Sequence, residues 1–272
     1  MDKKIRVAFV GVGAMGQCAH LKNYVLVPDC EVIAICEIRE ELGLMVAQRY
    51  GIKKVYRNFE DMRKNEKFDG MVVPQPFTRH YTILKEVLRA KVPIFIEKPL
   101  AGSVESGKKI LEEIKKAGTW VMVGYHKRSD PATIYAKEKI EEFKKTGEIG
   151  KMKYIRITIP PGDWVAGGFR QLITTDEKMP QLEYDVIPDG MSDNYFNEYV
   201  EFVNYYIHQV NFMRYLMGES YNVKFVDKSK VLMFVSGKSG IPGIIEMAPY
   251  STSISWDEKA TVFFEKGYVE IS

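Results

Sequence analysis

Cysteine is scarce in this sequence, and the cysteines that are present do not form a recognisable pattern. There are three in 272 residues, Cys18, Cys30 and Cys36, and no C-x-x-C pair occurs among them. An odd number of cysteines at these spacings excludes a disulfide framework and favours a reducing compartment. We therefore expect a cytoplasmic protein.

Long apolar runs and an excess of one charge are also missing. Lysine and arginine number 39 against 36 aspartates and glutamates, and this net charge of +3 argues against nucleic acid or an anionic membrane as partner. No apolar run approaches about 18 residues, so we expect neither a membrane span nor a signal peptide. His20 and His80 have no second metal ligand at a useful spacing, which predicts that there is no metal site.

The composition that remains is that of an ordinary globular protein, with 46% apolar and 28% charged residues. At roughly 150 residues per domain, the length suggests two domains. The first 125 residues alternate apolar strand patterns with amphipathic helices, which predicts βαβ units and a doubly wound parallel sheet. We expect strands at Ile5–Val10, Glu31–Cys36, Asp69–Val73, Pro93–Ile96 and Trp120–Gly124, and helices at Arg39–Tyr50, His80–Ala90 and Ser103–Ala117.

The pattern changes after Tyr125. Asp130 followed by Pro131 predicts a helix start, residues 160–195 lack periodicity, and Asn197–Met217 has the apolar stripe of a long helix. Consecutive short strands separated by turns indicate a mainly antiparallel sheet, and hence an α+β domain over residues 126–272. These strands are expected at Lys153–Ile159, Asn222–Val226, Val231–Val235, Gly243–Met247, Thr252–Trp256, Ala260–Phe264 and Tyr268–Ile271.

A glycine-rich loop follows the first strand. Gly11, Gly13 and Gly16 fit G-x-G-x-x-G, with Ala14 and Met15 between the last two, and the loop opens a helix whose N-terminus would face a pyrophosphate. Glu37 lies 21 residues after Gly16, where an acid accepts hydrogen bonds from ribose hydroxyls and repels a 2′-phosphate. Residues 1–125 are therefore predicted to be a Rossmann domain that binds NAD. NADP stays open as the less favoured cofactor, because an arginine near this position, Arg39, can tolerate a 2′-phosphate.

A second motif, Glu97-Lys98-Pro99, leaves a predicted strand at the sheet edge where doubly wound folds bind ligands. Five features occur in this order along the chain: the glycine loop, Pro76 with His80, this EKP turn, the G-x-x-x-R-x-x-P run from Gly124, and the helix with His208. In these motifs the chain resembles the Gfo/Idh/MocA oxidoreductases, over nearly its whole length. The resemblance implies a Rossmann domain followed by a domain with a large, mainly antiparallel sheet.

The resemblance also implies site residues. Lys98 corresponds to the family lysine beside the nicotinamide, and we assign catalytic roles to Lys98 and His208, with His208 as the acid/base. The family's Asp-x-x-x-His motif reads Asn204 to His208 here, and Asn211 stands where a further acid is usual, so these two amides are assigned to substrate hydroxyls. Pro76, His80, Glu97 and Lys98 are assigned to the cofactor side, although Gln75-Pro76-Phe77 departs from the usual Thr-Pro-Asn.

Three further residues are candidates for binding substrate. His126 and Arg128 follow the last parallel strand, at the crossover between the predicted domains, where an interdomain hinge is the alternative. His126 and Lys127 are also alternative proton carriers. Trp164 lies in the irregular segment and could stack on a sugar face, with packing or simple exposure as the alternative.

The function predicted from these features is transfer of a hydride to or from a secondary hydroxyl of a sugar, cyclitol or sugar derivative. Two alternatives remain: an NAD-retaining glycosidase or eliminating enzyme that oxidises its sugar transiently, and a sugar sensor of the same fold without catalysis. The resemblance implies a homo-oligomer, a dimer or tetramer, formed through the open sheet face. Since the second domain of family members usually has several dozen more residues, residues 126–272 are expected to be a naturally reduced or a truncated domain.

Overall fold

The computed structural model describes residues 3–160, 167–247, 250 and 257–272. The chain divides into two compact units, Met1–Gly124 with Val165–Val200, and Tyr125–Trp164 with Glu201–Ser272. Residues 167–200, which belong to the predicted domain 126–272, thus pack with the N-terminal part of the chain. Among the residues described, no helix is long and apolar enough to cross a membrane.

The first unit contains a six-stranded parallel sheet of order β3-β2-β1-β4-β5-β6, which confirms the predicted Rossmann fold. Its strands are β1 (Ile5–Val10), β2 (Cys30–Cys36), β3 (Val55–Tyr56), β4 (Gly70–Val73), β5 (Ile94–Ile96) and β6 (Val121–Val123). Its helices are a π-helical turn (Gly16–Leu21) that continues into α1 (Lys22–Tyr24), then α2 (Glu40–Tyr50), α3 (Phe59–Asn65), α4 (His80–Val87) and α5 (Val104–Ala117). Short 3₁₀ turns cover Phe77–Arg79, Leu88–Ala90 and Gly168–Gln171.

The sequence gives local reasons for these elements. Phe9 and Ile35 on adjacent strands are completely buried, as expected for parallel strands covered on both faces. Helix α5 begins where the Ser103 hydroxyl accepts the Ser106 N–H, and it ends at Gly118, whose φ of +69° is the left-handed conformation of a helix C-cap. Ile110 is buried on the inner face of α5, so the amphipathic pattern decides which side of the helix meets the sheet.

The segment after Gly167 runs over the Rossmann part of the first unit. Ile173 is buried in its core, and the Gln17 side chain both accepts the Ile173 N–H and donates to the Ile173 carbonyl. The Glu177 carboxylate accepts the Leu42 N–H in the first turn of α2. The Asp185 carboxylate accepts the Tyr81 and Thr82 N–H groups in the first turn of α4. Two acids of one irregular segment therefore complete the N-termini of two Rossmann helices.

Replacing Asp185 by alanine is expected to lower the free energy of unfolding by about 1–2 kcal/mol, because two helix N–H groups lose their acceptor. It should also make the 167–192 segment more sensitive to limited proteolysis. Thermal unfolding and peptide mapping after brief digestion measure both effects. Asp189→Ala, in an exposed position of the same segment, is the matched control. Equal behaviour of the two variants would show that Asp185 does not anchor the segment.

The second unit is built on a mainly antiparallel six-stranded sheet of order β12-β11-β7-β10-β9-β8, as predicted. Among the strands that the structure describes here, only β7 and β10 pair in parallel. The strands are β7 (Met152–Thr158), β8 (Tyr221–Val226), β9 (Leu232–Gly237), β10 (Pro242–Glu246), β11 (Lys259–Phe264) and β12 (Tyr268–Ile271). The helices are a 3₁₀ turn (His126–Arg128), α6 (Pro131–Thr146) and α7 (Asp193–Met217), whose N-terminal residues lie in the first unit.

One face of this sheet carries the core of the second unit. Ile140 of α6 and Phe212 of α7 pack with Ile155 and Ile157 of β7 and Val262 of β11. Helix α6 begins as expected. Pro131 is its first residue, and the side chain of the preceding Asp130 accepts the Thr133 N–H. The strand predicted at Thr252–Trp256 lies outside the described residues.

Candidate functional site

The glycine loop joins β1 to the π-helical turn. Gly11 has a φ of +100°, and its N–H donates to the Cys36 carbonyl at the end of β2. A Cβ at Gly16 would lie 2.9 Å from the Gly11 carbonyl oxygen, so this glycine permits a close approach of the helix to the strand exit. A Cβ at Gly13 would meet nothing nearer than Arg39 at 3.9 Å, so the loop is open on that side. A tight turn with an open middle glycine fits a dinucleotide pyrophosphate.

Glu37 lies beside this loop, directly after β2. It is 4% exposed, one carboxylate oxygen accepts the Val12 N–H at 2.9 Å, and the other accepts Arg39 Nε at 2.9 Å. The Arg39 guanidinium is therefore engaged by a carboxylate of the chain itself. This arrangement fits NAD better than NADP, since an acid at the ribose position disfavours a 2′-phosphate.

His80 joins two loops at the carboxyl edge of the parallel sheet. The ring is fully buried, with Nδ1 3.1 Å from the Leu100 carbonyl oxygen and Nε2 3.0 Å from that of Gln75. Burial lowers the pKa of His80, although both carbonyl contacts oppose the shift. His80 thus ties the segment around Pro76 to the residue that follows the EKP turn.

Glu97 and Lys98 follow β5 and are both partly buried. Burial lowers the pKa of Lys98, and the neighbouring charge of Glu97 opposes that shift. Glu97 Oε1 lies 2.5 Å from His20 Nε2, which belongs to the helix after the glycine loop. Neither the glycine-loop motif nor the EKP motif by itself predicts this contact. A partly desolvated amine at this sheet edge releases its proton more readily than an exposed lysine does.

The candidate substrate residues of the second unit come together in pairs. The rings of His126 and His208 lie edge to face with centroids 4.6 Å apart. Arg128 Nε donates to Asn211 Oδ1 at 2.8 Å, so that amide oxygen is held by a cation. Asn204 is exposed on α7, one helical turn before His208.

Two other sequence candidates have different outcomes. Lys127, an alternative proton carrier, forms an ion pair with Glu258 in the second unit, and both side chains are largely buried. Trp164 lies outside the described residues. Within the described part of the chain, no group of three histidine, cysteine, aspartate or glutamate side chains is arranged to hold a metal ion.

The sequence interpretation missed His20 as a member of the site. It was considered only as a metal ligand, although its position four residues after Gly16 places it on the helix that opens the dinucleotide loop. Gln75 was also missed: its amide donates at 2.9 Å to the carbonyl of Val10, the residue before the glycine loop. Arg79 in turn donates to Gln75 Oε1, so the loop after β4 is fixed against the loop after β1.

Comparison with known proteins assigns the class. Residues 5–125 match the model of the Gfo/Idh/MocA oxidoreductase family, described as an NAD-binding Rossmann fold. The myo-inositol 2-dehydrogenase of Thermotoga maritima is 25% identical over 97% of this chain and 74% of its own length. The NAD⁺-dependent scyllo-inositol 2-dehydrogenase of Bacillus subtilis is 26% identical over 100% and 75%, respectively.

Solved structures confirm the fold. The scyllo-inositol dehydrogenase of Lactobacillus casei, solved with NAD(H) and scyllo-inositol, superposes with a TM-score of 0.72 at 17% identity. It matches 99% of this chain and 76% of its own. The myo-inositol dehydrogenase of the same organism, in complex with NAD(H) and myo-inositol, gives 0.72 at 22% identity over 99% and 74%.

The protein is therefore an NAD-binding oxidoreductase. Its residues 5–125 match the Gfo/Idh/MocA family model, which confirms the resemblance inferred from the glycine loop and the EKP turn. The chain spans about three quarters of the length of the inositol dehydrogenases named above.

Proposed function

We propose that this protein is an NAD-dependent cyclitol dehydrogenase that oxidises a secondary hydroxyl of an inositol or a related sugar. The observation that carries the proposal is Lys98, a partly buried amine in the EKP turn at the carboxyl end of β5, in the same unit as the glycine loop. The relatives named for myo- and scyllo-inositol support the substrate class.

In this proposal the chain's own residues manage the proton of the hydroxyl. When bound, NAD⁺ supplies the acceptor for the hydrogen and electron pair of the C–H bond. Lys98 binds the hydroxyl oxygen and stabilises negative charge on it, while His208 removes the O–H proton at a ring nitrogen. Asn204, Asn211 and Arg128 hold neighbouring hydroxyls, and His126 orients the His208 ring that it contacts. For Trp164 the substrate-binding role stays a prediction.

The experiment is a screen of myo-inositol, scyllo-inositol, other polyols, free sugars and glycosides with NAD⁺. NADH absorbance and product mass are read together, and the expected result is stoichiometric NADH with a ketone two mass units below an inositol. Sugar release from a glycoside without net NADH would replace the proposal by transient oxidation. Ligand binding without turnover of any compound would favour a sensor.

The cysteines support a cytoplasmic location within this proposal. Cys18, Cys30 and Cys36 are free thiols in the structure. Burial raises the pKa of Cys36 to about 12, so this thiol stays protonated and unreactive at neutral pH. Three unpaired thiols are typical of a reducing compartment.

The open face of the second unit's sheet supports a proposal of homo-oligomerisation, as a dimer or tetramer. Opposite the face that carries the core, Phe225 and Tyr268 are 61% and 63% exposed, and Leu232 and Phe234 are also exposed. Exposed aromatic and aliphatic side chains on one sheet face are typical of a surface that a second subunit covers.

Phe234→Asp is expected to dissociate the oligomer, because a charge in the centre of an apolar interface is costly to desolvate. Analytical ultracentrifugation measures the change, and a shift to monomer at micromolar concentration is the expected result. Leu26→Asp, at a position 77% exposed in the first unit, is the control that should leave the mass unchanged. A wild-type protein that sediments as a monomer would refute the proposal.

A further inference from the structure

His20 occupies an unusual position in the helix that follows the glycine loop. It lies in the π-helical turn Gly16–Leu21, a widened form of helix that is rare and often found at functional sites. Its ring packs edge to face against Phe95 of β5, with centroids 5.1 Å apart. Its side chain is 14% exposed, so the imidazole is largely buried beside the edge of the sheet.

The imidazole meets the carboxylate of the EKP turn. His20 Nε2 lies 2.5 Å from Glu97 Oε1, and the Glu97 side chain is 13% exposed. The second carboxylate oxygen accepts the backbone N–H of Lys98 at 3.3 Å. One carboxylate therefore connects the helix of the dinucleotide loop to the backbone of the residue to which we assign the central role in the reaction.

We infer that His20 is a positioning residue of the reaction site, which acts through Glu97 to hold the EKP turn and to balance the negative charge beside Lys98. This inference deepens the proposed function and rests on its assignment of Lys98. A purely structural contact between His20 and Glu97 would hold the turn without changing the protonation of Lys98. The two possibilities therefore differ in a measurable property of Lys98.

The charges around this group have defined directions. Burial alone would raise the pKa of Glu97, but the hydrogen bond and charge of His20, together with Lys98, bring it below its ordinary value. For Lys98, burial lowers the pKa and the Glu97 carboxylate raises it. The charge of an imidazolium at this position would offset Glu97 and so weaken the support that Glu97 gives to the Lys98 ammonium. The charged groups that act on one another at this contact are thus His20, Glu97 and Lys98.

Two substitutions should consequently shift the protonation of Lys98 in opposite directions. Glu97→Gln removes the negative charge, which favours the neutral amine of Lys98. His20→Gln keeps a hydrogen-bond donor for Glu97 but removes the balancing positive charge, which favours the ammonium. Glu105→Gln, an exposed carboxylate of α5, is the matched control that should change neither.

The test is competitive acetylation of the intact protein with trace acetic anhydride across pH, followed by peptide mass spectrometry. Only a neutral amine reacts, so labelling of Lys98 relative to the exposed Lys108 reports its protonation. At neutral pH we expect a rise on the order of tenfold in Glu97→Gln and a fall in His20→Gln. Equal labelling in wild type and both variants, or shifts of the same sign, would overturn the inference.

This measurement needs no substrate, so its outcome is separate from that of the proposed function. If wild type turned over no cyclitol but the opposite shifts were found, the proposed function would fail while the His20–Glu97–Lys98 coupling stood. If turnover is found, His20→Gln should displace the pH profile of kcat and leave the KM for the cyclitol nearly unchanged. His20→Ala, which also removes the donor, should lose further activity that His20→Gln restores.

Discussion

Lys98→Ala is expected to lower kcat for cyclitol oxidation by about 10²–10³-fold, which is the usual range when a donor that stabilises the developing negative charge is removed. Lys98 is partly buried beside Glu97, so its amine is placed in a desolvated position where its charge acts strongly. Affinity for NAD should change little, since the glycine loop and Glu37 remain intact. Steady-state kinetics and titration of the protein fluorescence with NADH measure the two quantities.

Two variants make this result specific. Lys108→Ala removes an exposed lysine of α5 and should retain the wild-type kcat. Lys98→Arg keeps a positive charge but cannot release a proton near neutral pH, so it separates charge stabilisation from proton transfer. Recovery of most of the activity in the arginine variant would assign Lys98 a purely electrostatic role. An unchanged kcat in Lys98→Ala would remove Lys98 from the mechanism altogether.

Most of the secondary structure could be predicted because buried parallel strands are continuous apolar runs. The strand expected at Ile5–Val10 coincides with β1, and the Asp130-Pro131 pair correctly predicts the start of α6. Strand β3 and helix α3 were missed, since β3 has only two residues and a pattern of period two needs more. The capping signal of α3 was nonetheless present: the Asn58 side chain accepts the Asp61 N–H.

The candidate site was predictable only where its residues are local in sequence. The glycine loop and the EKP turn each carry their signal within six residues or fewer, so both were found. The contact between His20 and Glu97 joins residues 77 positions apart, and that of Gln17 with Ile173 joins residues 156 apart. Neither contact is indicated by a periodicity or a local composition of the sequence. The packing of residues 167–200 with residues of the Rossmann part was not predicted for the same reason.

The second large effect is expected at the last glycine of the loop. Gly16→Ala places a methyl group 2.9 Å from the Gly11 carbonyl oxygen and 3.3 Å from Pro74 Cγ. Since the first of these atoms is backbone, the helix must move away from the strand exit, at a cost of about 1–3 kcal/mol in the free energy of unfolding. The same movement displaces the N-terminal turn that faces the dinucleotide, so NADH affinity should fall as well.

Gly107→Ala is the matched control because it makes the same chemical change inside helix α5. Its new methyl group would lie 3.9 Å from Ala101 Cβ, an ordinary contact, and alanine is the better helix former by about 0.5–1 kcal/mol. Thermal unfolding of the two variants should therefore shift in opposite directions from wild type, with NADH affinity reduced only in Gly16→Ala. If Gly16→Ala matched the stability and affinity of wild type, close approach of the helix to the loop would not be what requires glycine at this position.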